Sequence, residues 1–177
     1  MDLVQQGRPA EAEDALHLAL VEQPGYEQAR QALVGLLLES GRRSEAEALL
    51  QEGLRAEPRQ INLAMLLARL RVERGALQEA LDTLQTYLPN AQWSADYLAM
   101  TAAVMARASR NREAAQFYEG ALRIGPNNAV WTMGLGLALR ADGRPREALA
   151  AFQRARDLGT LAPELQTYVE RQIRDLQ

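Results

Sequence analysis

Few residues of this 177-residue chain have side chains suited to catalysis or metal binding. The sequence has no cysteine, and its one histidine, His17, stands between two leucines in a helical pattern. No serine or aspartate is arranged to make His17 a general base, and no second ligand accompanies it for a metal. Carboxylates are plentiful, but they recur at the helical spacing of solvated faces. We therefore predict no enzymatic activity, no metal site and no cofactor.

The chemistry that remains is recognition by arginine. All 20 basic residues are Arg, and a guanidinium binds carboxylates in a bidentate geometry. Both signs of charge are mixed along the chain and the net charge is −3, so no basic stripe exists to bind nucleic acid. Gly134 and Gly136 lie in a helical pattern and follow no strand, which excludes a phosphate-binding loop.

The elements that would position the arginines follow a 34-residue repeat. The repeat is marked by alanines at Ala12, Ala46, Ala80, Ala114 and Ala148, by glycines at Gly7, Gly41, Gly75 and Gly143, and by prolines at Pro24, Pro58 and Pro126. Ser109 takes the remaining glycine position and Gln92 the remaining proline position. The glycines suit tight turns with positive φ, the prolines end helices, and the alanines allow helices to approach closely.

Helix-forming residues dominate the composition, and 47% of the chain is hydrophobic, which predicts an all-α protein with a buried core. Apolar residues recur at i, i+3, i+4 and i+7 between the turn signals. They predict helices at about Pro9–Glu22, Tyr26–Ser40, Ser44–Ala56, Ile61–Arg74, Leu77–Leu88, Ser94–Ala108, Asn111–Ile124, Asn128–Ala141, Pro145–Leu158 and Pro163–Gln177. No apolar run is long enough to span a bilayer.

This pattern of paired helices resembles the tetratricopeptide repeat (TPR). The last repeat shows it best, with Trp131, Leu135-Gly136, Gly143, Glu147-Ala148-Leu149, Phe152 and Ala155. The resemblance implies one right-handed α-solenoid domain over residues 1–177, of about four and a half repeats. A partial repeat (1–26) would precede repeats at about 27–60, 61–94, 95–128 and 129–162, and a capping helix would follow at 163–177. Because the chain begins within a repeat, we expect it to be part of a longer protein.

In such solenoids the first helix of each pair lines a concave face that holds a protein or peptide partner. The candidate residues for this groove are Gln28, Gln31, Asn62, Met65, Arg69, Arg107, Val130, Met133, Leu137 and Arg140. Arg69, Arg107 and Arg140 could each meet a carboxylate of the partner. Alternatively, these arginines form a solvated face, and Met133 and Leu137 belong to the core. A variety of this repeat clamps a C-terminal carboxylate with Lys and Asn, and the absence of Lys argues against it here.

The segment Leu88-Pro89-Asn90-Ala91-Gln92-Trp93 interrupts the repeat, since proline comes three residues early. We expect the preceding helix to end by Leu88 and Ser94 to cap the next one. Trp93 is either an exposed contact or, more often in this setting, a hydrophobic staple packed against the turn.

A narrower resemblance rests on Tyr87-Leu88-Pro89, Asp96-Tyr97-Leu98-Ala99, Ala114-Ala115-Gln116-Phe117-Tyr118, Trp131 to Leu139 and Ala162-Pro163-Glu164-Leu165. These segments resemble the C-terminal repeats of bacterial proteins for biogenesis of the mannose-sensitive haemagglutinin type IV pilus. The resemblance implies a periplasmic scaffold behind an upstream membrane anchor. Two alternatives stay open. One is a self-associating module that pairs through Leu3, Val4 and the first helix, and the other is a regulatory or targeting part of a larger enzyme.

Overall fold

The computed structural model describes residues 8–177, and over this range the secondary structure is helical without strands, as predicted. The helices are α1 (Pro9–Glu22), α2 (Glu27–Glu39), α3 (Arg43–Ala56), α4 (Ile61–Glu73), α5 (Leu77–Tyr87), α6 (Ala95–Arg107), α7 (Asn111–Ile124), α8 (Ala129–Ala141), α9 (Pro145–Asp157) and α10 (Pro163–Asp175). Each begins and ends within two residues of its predicted bounds. Among the described helices, none is both long enough and apolar enough to cross a membrane.

The turns inside the repeats adopt the left-handed conformation that the sequence predicts. Gly41, Gly75 and Gly143 have φ angles of 75°, 82° and 76°, and Ser109 has the same geometry with φ 61°. The residue after each turn donates its N–H to a carbonyl of the preceding helix, for example from Arg42 N to Leu37 O at 2.7 Å. This closure satisfies carbonyls at the helix end. Gly7, the first glycine of the predicted series, lies outside the described residues.

The repeated alanines lie in the helix contacts, as predicted. Ala46, Ala80, Ala114 and Ala148 have no exposed surface, and Ala12 is 7% exposed. Each stands on the second helix of its pair, in the first turns, where a methyl group leaves room for a neighbouring helix. A longer side chain at these buried positions would overpack the contact between helices and destabilise the fold.

By its internal contacts the chain divides into two compact units. Unit one runs to Ala76 and includes Thr83–Asn90, and unit two is formed by Leu77–Asp82 with Ala91–Gln177. Within unit one, each of the helices α1 to α4 packs against the next. Within unit two, α6, α7, α8, α9 and α10 pack in the same successive manner. The core of each unit therefore lies between helices that are neighbours in sequence.

The irregular segment between α5 and α6 is largely as predicted. Helix α5 ends at Tyr87, a 3-10 turn follows at Leu88–Asn90, and Ser94 Oγ caps α6 by accepting a hydrogen bond from Tyr97 N at 3.3 Å. The preferred interpretation of Trp93 is wrong, however. Its side chain is 88% exposed, so it does not act as a staple against the turn.

Candidate functional site

Two helices of unit one carry half of the predicted groove residues on exposed or half-buried faces. Helices α2 and α4 are the first helices of successive repeats, and α3 connects them. On α2 the stripe consists of Gln28, Gln31, Gly35 and Leu38, which lie along one face of the helix and are exposed or half-buried. The α4 stripe, Asn62, Met65 and Arg69, has the same character. Spacings of three, four and seven residues keep each stripe on one helix face. We call the surface between them the α2–α4 groove.

A carboxylate joins the two helices at the N-terminal end of the groove. Glu27 Oε1 accepts hydrogen bonds from Gln31 Nε2 and from Asn62 Nδ2, each at 2.9 Å. No arginine within residues 8–177 pairs with Glu27, and its side chain is half-buried. Two predicted groove residues are thus brought together by a third residue, and this end of the groove carries a carboxylate.

The C-terminal end of the groove is an open cavity of about 400 Å³. Its apolar lining comes from Leu38, Leu66 and Leu70, and its charged lining from Arg43, Arg69 and Glu73. Arg43 Nη2 donates to Glu73 Oε2 at 3.0 Å, and Arg43 Nη1 donates to Leu70 O at 3.3 Å, so Arg43 is held in place. These contacts neutralise Glu73 and leave Arg69 as the uncompensated charge of the cavity.

Arg69 lacks the carboxylate partner that several other arginines of the described chain have. Arg8, Arg42, Arg110 and Arg144 each form an ion pair with a glutamate three residues later in sequence. In the part of the chain that the structure describes, no carboxylate pairs with Arg69, and its side chain is exposed. A free guanidinium beside an apolar surface is well suited to bind a carboxylate of another molecule.

Gly35 leaves the middle of the α2 surface open. It lies one turn beyond Gln31 and one turn before Leu38, and no atom stands within 4 Å of a Cβ built on it. A glycine inside a helix costs about 0.5–1 kcal/mol relative to alanine, and no packing contact requires one here. The space above Gly35 is therefore available to a bound chain.

The remaining predicted groove residues lie in unit two. Met133 and Leu137 are half-buried on α8, Val130 is 50% exposed on the same helix, and Arg107 is exposed at the end of α6. Arg140 does not stand free, because its Nη1 donates a hydrogen bond to the buried Gln172 Oε1 on α10. Its side chain therefore holds the last helix, a contact that the sequence did not suggest.

Several residues of the α2–α4 groove were not among the predicted site residues. They include Glu27, Arg43, Leu66 and Leu70. A signal for Glu27 exists, since it precedes Gln31 by one helical turn and could be expected to accept from its amide. Arg43 begins the second helix of a pair, so a rule restricted to first helices could not find it.

The acidic residues and His17 form no site of their own. His17 Nε2 lies 3.8 Å from Glu13 Oε1 on an exposed face of α1. Among residues 8–177 there is no group of three or more His, Cys, Asp or Glu side chains that could hold a metal ion. The α2–α4 groove is thus the candidate site with the most support in the described structure.

Comparison with known proteins agrees with the repeat pattern. Two family models, both described as tetratricopeptide repeat, match residues 3–70 and 106–164. No curated protein sequence matches the chain. Together the two family matches span more than half of the sequence.

Solved structures of this repeat fold are similar over most of the chain. A MamA structure has a TM-score of 0.73 at 20% identity and covers 91% of both chains. YrrB, described as a TPR protein with an unusual peptide-binding site, has a TM-score of 0.75 at 16% identity and covers 96% of this chain and 87% of its own. A tetratricopeptide repeat protein from Parabacteroides merdae has a TM-score of 0.75 at 18% identity, and the match covers 99% of this chain and 68% of the other. The chain belongs to the tetratricopeptide repeat family.

Proposed function

We propose that this chain is a non-catalytic protein-interaction scaffold, which binds a peptide segment of another protein in the α2–α4 groove. The observation that supports it most directly is the open cavity between Leu38, Leu66 and Leu70, with the unpaired Arg69 at its edge. An apolar surface beside a free charge suits a short segment that has both apolar and charged side chains. The described peptide-binding site of YrrB, which shares the fold, supports the same class of function.

The experiment is to block the groove without disturbing the fold. Gly35→Trp adds an indole at a position where a Cβ would meet no atom within 4 Å, so we expect the helices to form normally. Twelve-residue peptides selected from a displayed random library against the unmodified chain would be synthesised and titrated by fluorescence polarisation. We expect Gly35→Trp to weaken the selected peptides by about tenfold or more, which is about 1.4 kcal/mol of binding free energy.

The matched control is Ala150→Trp, which adds the same aromatic side chain at an exposed position of α9. Circular dichroism of both variants checks that helix content is unchanged. Equal affinity of Gly35→Trp and the unmodified chain for every selected peptide would show that binding does not use this groove. Failure of the library to yield any peptide would argue against the proposed function itself.

A second candidate function is self-association through α1. Leu18 and Val21 are 66% and 77% exposed and lie three residues apart on one face of this helix. Leu3 and Val4, which were predicted to contribute, lie outside the described residues. Sedimentation equilibrium tests the idea. Self-association is supported if the unmodified chain is a dimer and the double variant Leu18→Glu with Val21→Glu is a monomer. A monomer at all concentrations of the unmodified chain would exclude it.

A narrower role in type IV pilus or secretion-complex assembly rests on the sequence resemblance alone. This narrower role concerns the identity of the partner protein and does not change which surface of the chain binds it. Titration of the purified chain with purified inner-membrane assembly proteins of such a pilus tests it. Binding that Gly35→Trp abolishes would support the pilus role, and absence of binding would remove it while leaving the scaffold function in place.

A further inference from the structure

We infer, building on the proposed function, that the α2–α4 groove selects an extended peptide with two opposite charges three residues apart. The cationic side chain of the peptide binds at Glu27, and the acidic side chain binds at Arg69.

The Glu27 end is prepared for a cation. Oε1 of Glu27 is fixed by the amides of Gln31 and Asn62, each at 2.9 Å, so the carboxylate is oriented across the two helices. These two partners are neutral amides, and within residues 8–177 no arginine pairs with Glu27, whose charge is offset only in part by the N-terminus of α2. A Lys or Arg side chain of a peptide could bind it in a charge-assisted hydrogen bond.

The Arg69 end is prepared for an anion. The ion pair between Arg43 and Glu73, at 3.0 Å, removes the one carboxylate of the cavity lining from competition. The guanidinium of Arg69 therefore meets an incoming carboxylate without displacing a partner of its own. Leu38, Leu66 and Leu70 form the adjacent apolar surface, which reduces the screening of that contact by water.

The spacing of the two charges follows from helix geometry. Asn62, which binds Glu27, and Arg69 are seven residues apart on the same face of α4. At 1.5 Å per residue this is about 10 Å along the helix axis. An extended peptide in the polyproline II conformation rises about 3.1 Å per residue with three residues per turn, so side chains three residues apart lie on one side of it, about 9 Å from each other. A helical peptide would need its charges about seven residues apart, which is the competing geometry.

The test uses ten-residue fluorescent peptides of Ala, Ser and Leu that contain one Lys and one Glu. The two charges stand one, three, five or seven residues apart in both orders, and Lys–Lys and Glu–Glu peptides at a separation of three complete the panel. We expect the tightest binding at a separation of three in one of the two orders. Arg69→Glu should weaken that peptide by about tenfold or more and should strengthen binding of the Lys–Lys peptide.

Glu27→Arg should act in the opposite sense, by weakening the mixed peptide and strengthening the Glu–Glu peptide. Arg55→Glu and Asp14→Arg are the matched controls, because they make the same charge changes at exposed positions on α3 and α1. These two variants should bind the panel as the unmodified chain does. A shared effect of all four variants would indicate long-range electrostatics and overturn the inference.

The outcomes separate this inference from the proposed function. In one outcome Gly35→Trp blocks binding while affinity does not depend on charge spacing, or is highest at a separation of seven. Either result overturns the inference and leaves the groove as the binding site. Binding that Gly35→Trp does not affect overturns both. If no peptide of the panel binds, the inference is overturned, and the random-library selection decides the function separately.

Discussion

The side chain of Arg30 lies directly over the α-carbon of Gly53. A Cβ at residue 53 would stand 2.3 Å from Arg30 Cδ and 2.4 Å from Arg30 Nε, closer than any real contact. Arg30 is only 1% exposed, and its guanidinium donates to Leu49 O at 2.9 Å and to Pro24 O at 2.7 Å. This buried charge is therefore held by backbone carbonyls on two sides, in space that exists because residue 53 has no side chain.

Gly53→Ala should destabilise the protein by about 1–3 kcal/mol, because the added methyl group forces Arg30 out of its position. The usual gain of replacing a helical glycine by alanine should not appear. Gly120→Ala is the control, since its Cβ would meet Leu98 Cδ1 at 3.4 Å and no closer side-chain atom. It should be neutral or stabilising by up to about 1 kcal/mol. Urea unfolding compares the two, and equal effects would contradict the packing described here.

The repeat pattern shows Gly53 as a departure from the later repeats but gives no cause for it. On the 34-residue grid, Gly53 and Tyr87 take positions that hold Ala121 and Ala155 in later repeats. Both look like departures from the pattern when each position is read alone. In the first of these repeats the large Arg30 packs against the small Gly53. One repeat later, Ala64 stands in the place of Arg30 and Tyr87 in the place of Gly53, so the large and small residues have exchanged positions. Helix bounds follow local signals, whereas such exchanges of volume depend on tertiary contacts.

Ser109→Gly should stabilise the protein by about 1 kcal/mol. Ser109 has φ 61°, a conformation that is costly for residues other than glycine, and the equivalent turns use glycine. Gly143→Ser makes the reverse exchange at φ 76° and should destabilise by a similar amount. Thermal unfolding of both variants checks the pair. A lower melting temperature for Ser109→Gly would show that its hydroxyl contributes more than the turn geometry costs.

Arginine–glutamate pairs at the start of the second helices make stability depend on pH. Arg110 Nε donates to Glu113 Oε1 at 2.7 Å, and this hydrogen bond lowers the pKa of Glu113 below its ordinary value of 4.5. A carboxyl whose pKa is lowered by folding stabilises the fold above its unfolded pKa and loses that contribution as the pH falls through its folded pKa. The pair should thus contribute fully at pH 7 and fade below about pH 4.5.

Glu113→Gln measures this contribution. Because the pair is partly exposed to solvent, the variant should lose about 0.5 kcal/mol at pH 7, and the loss should shrink as the pH falls below 4.5. Glu164→Gln is the control. Glu164 also lies in the first turn of a helix, α10, but the residue three positions before it is Leu161 and not an arginine. Melting temperatures from pH 3 to 7 provide the comparison. A difference that grows on acidification would contradict the assigned pair.

The accessibility of the groove residues could be predicted in part. First-helix positions that point away from the core predicted Asn62, Met65 and Arg69, which are exposed or half-buried in the structure, and their role in binding stays a prediction. What could not be predicted is which arginines are free, because this depends on contacts between residues far apart in sequence. Arg43 is bound by Glu73, thirty residues later, and Arg140 is bound by Gln172, thirty-two residues later. Charge type and spacing on one helix contain no information about such partners.

The contact between Arg140 and Gln172 should matter for stability rather than for binding. Gln172 is 4% exposed, so Arg140→Ala leaves its Oε1 buried without the donor from α8, at a cost of about 1–3 kcal/mol. Adding Gln172→Leu removes the buried acceptor and should restore part of the loss, which a double-mutant cycle in urea measures. Arg107→Ala, an exposed arginine, should change stability by less than about 0.5 kcal/mol. If Arg140→Ala is as mild as Arg107→Ala, and the cycle shows no coupling, the hydrogen bond does not hold the last helix.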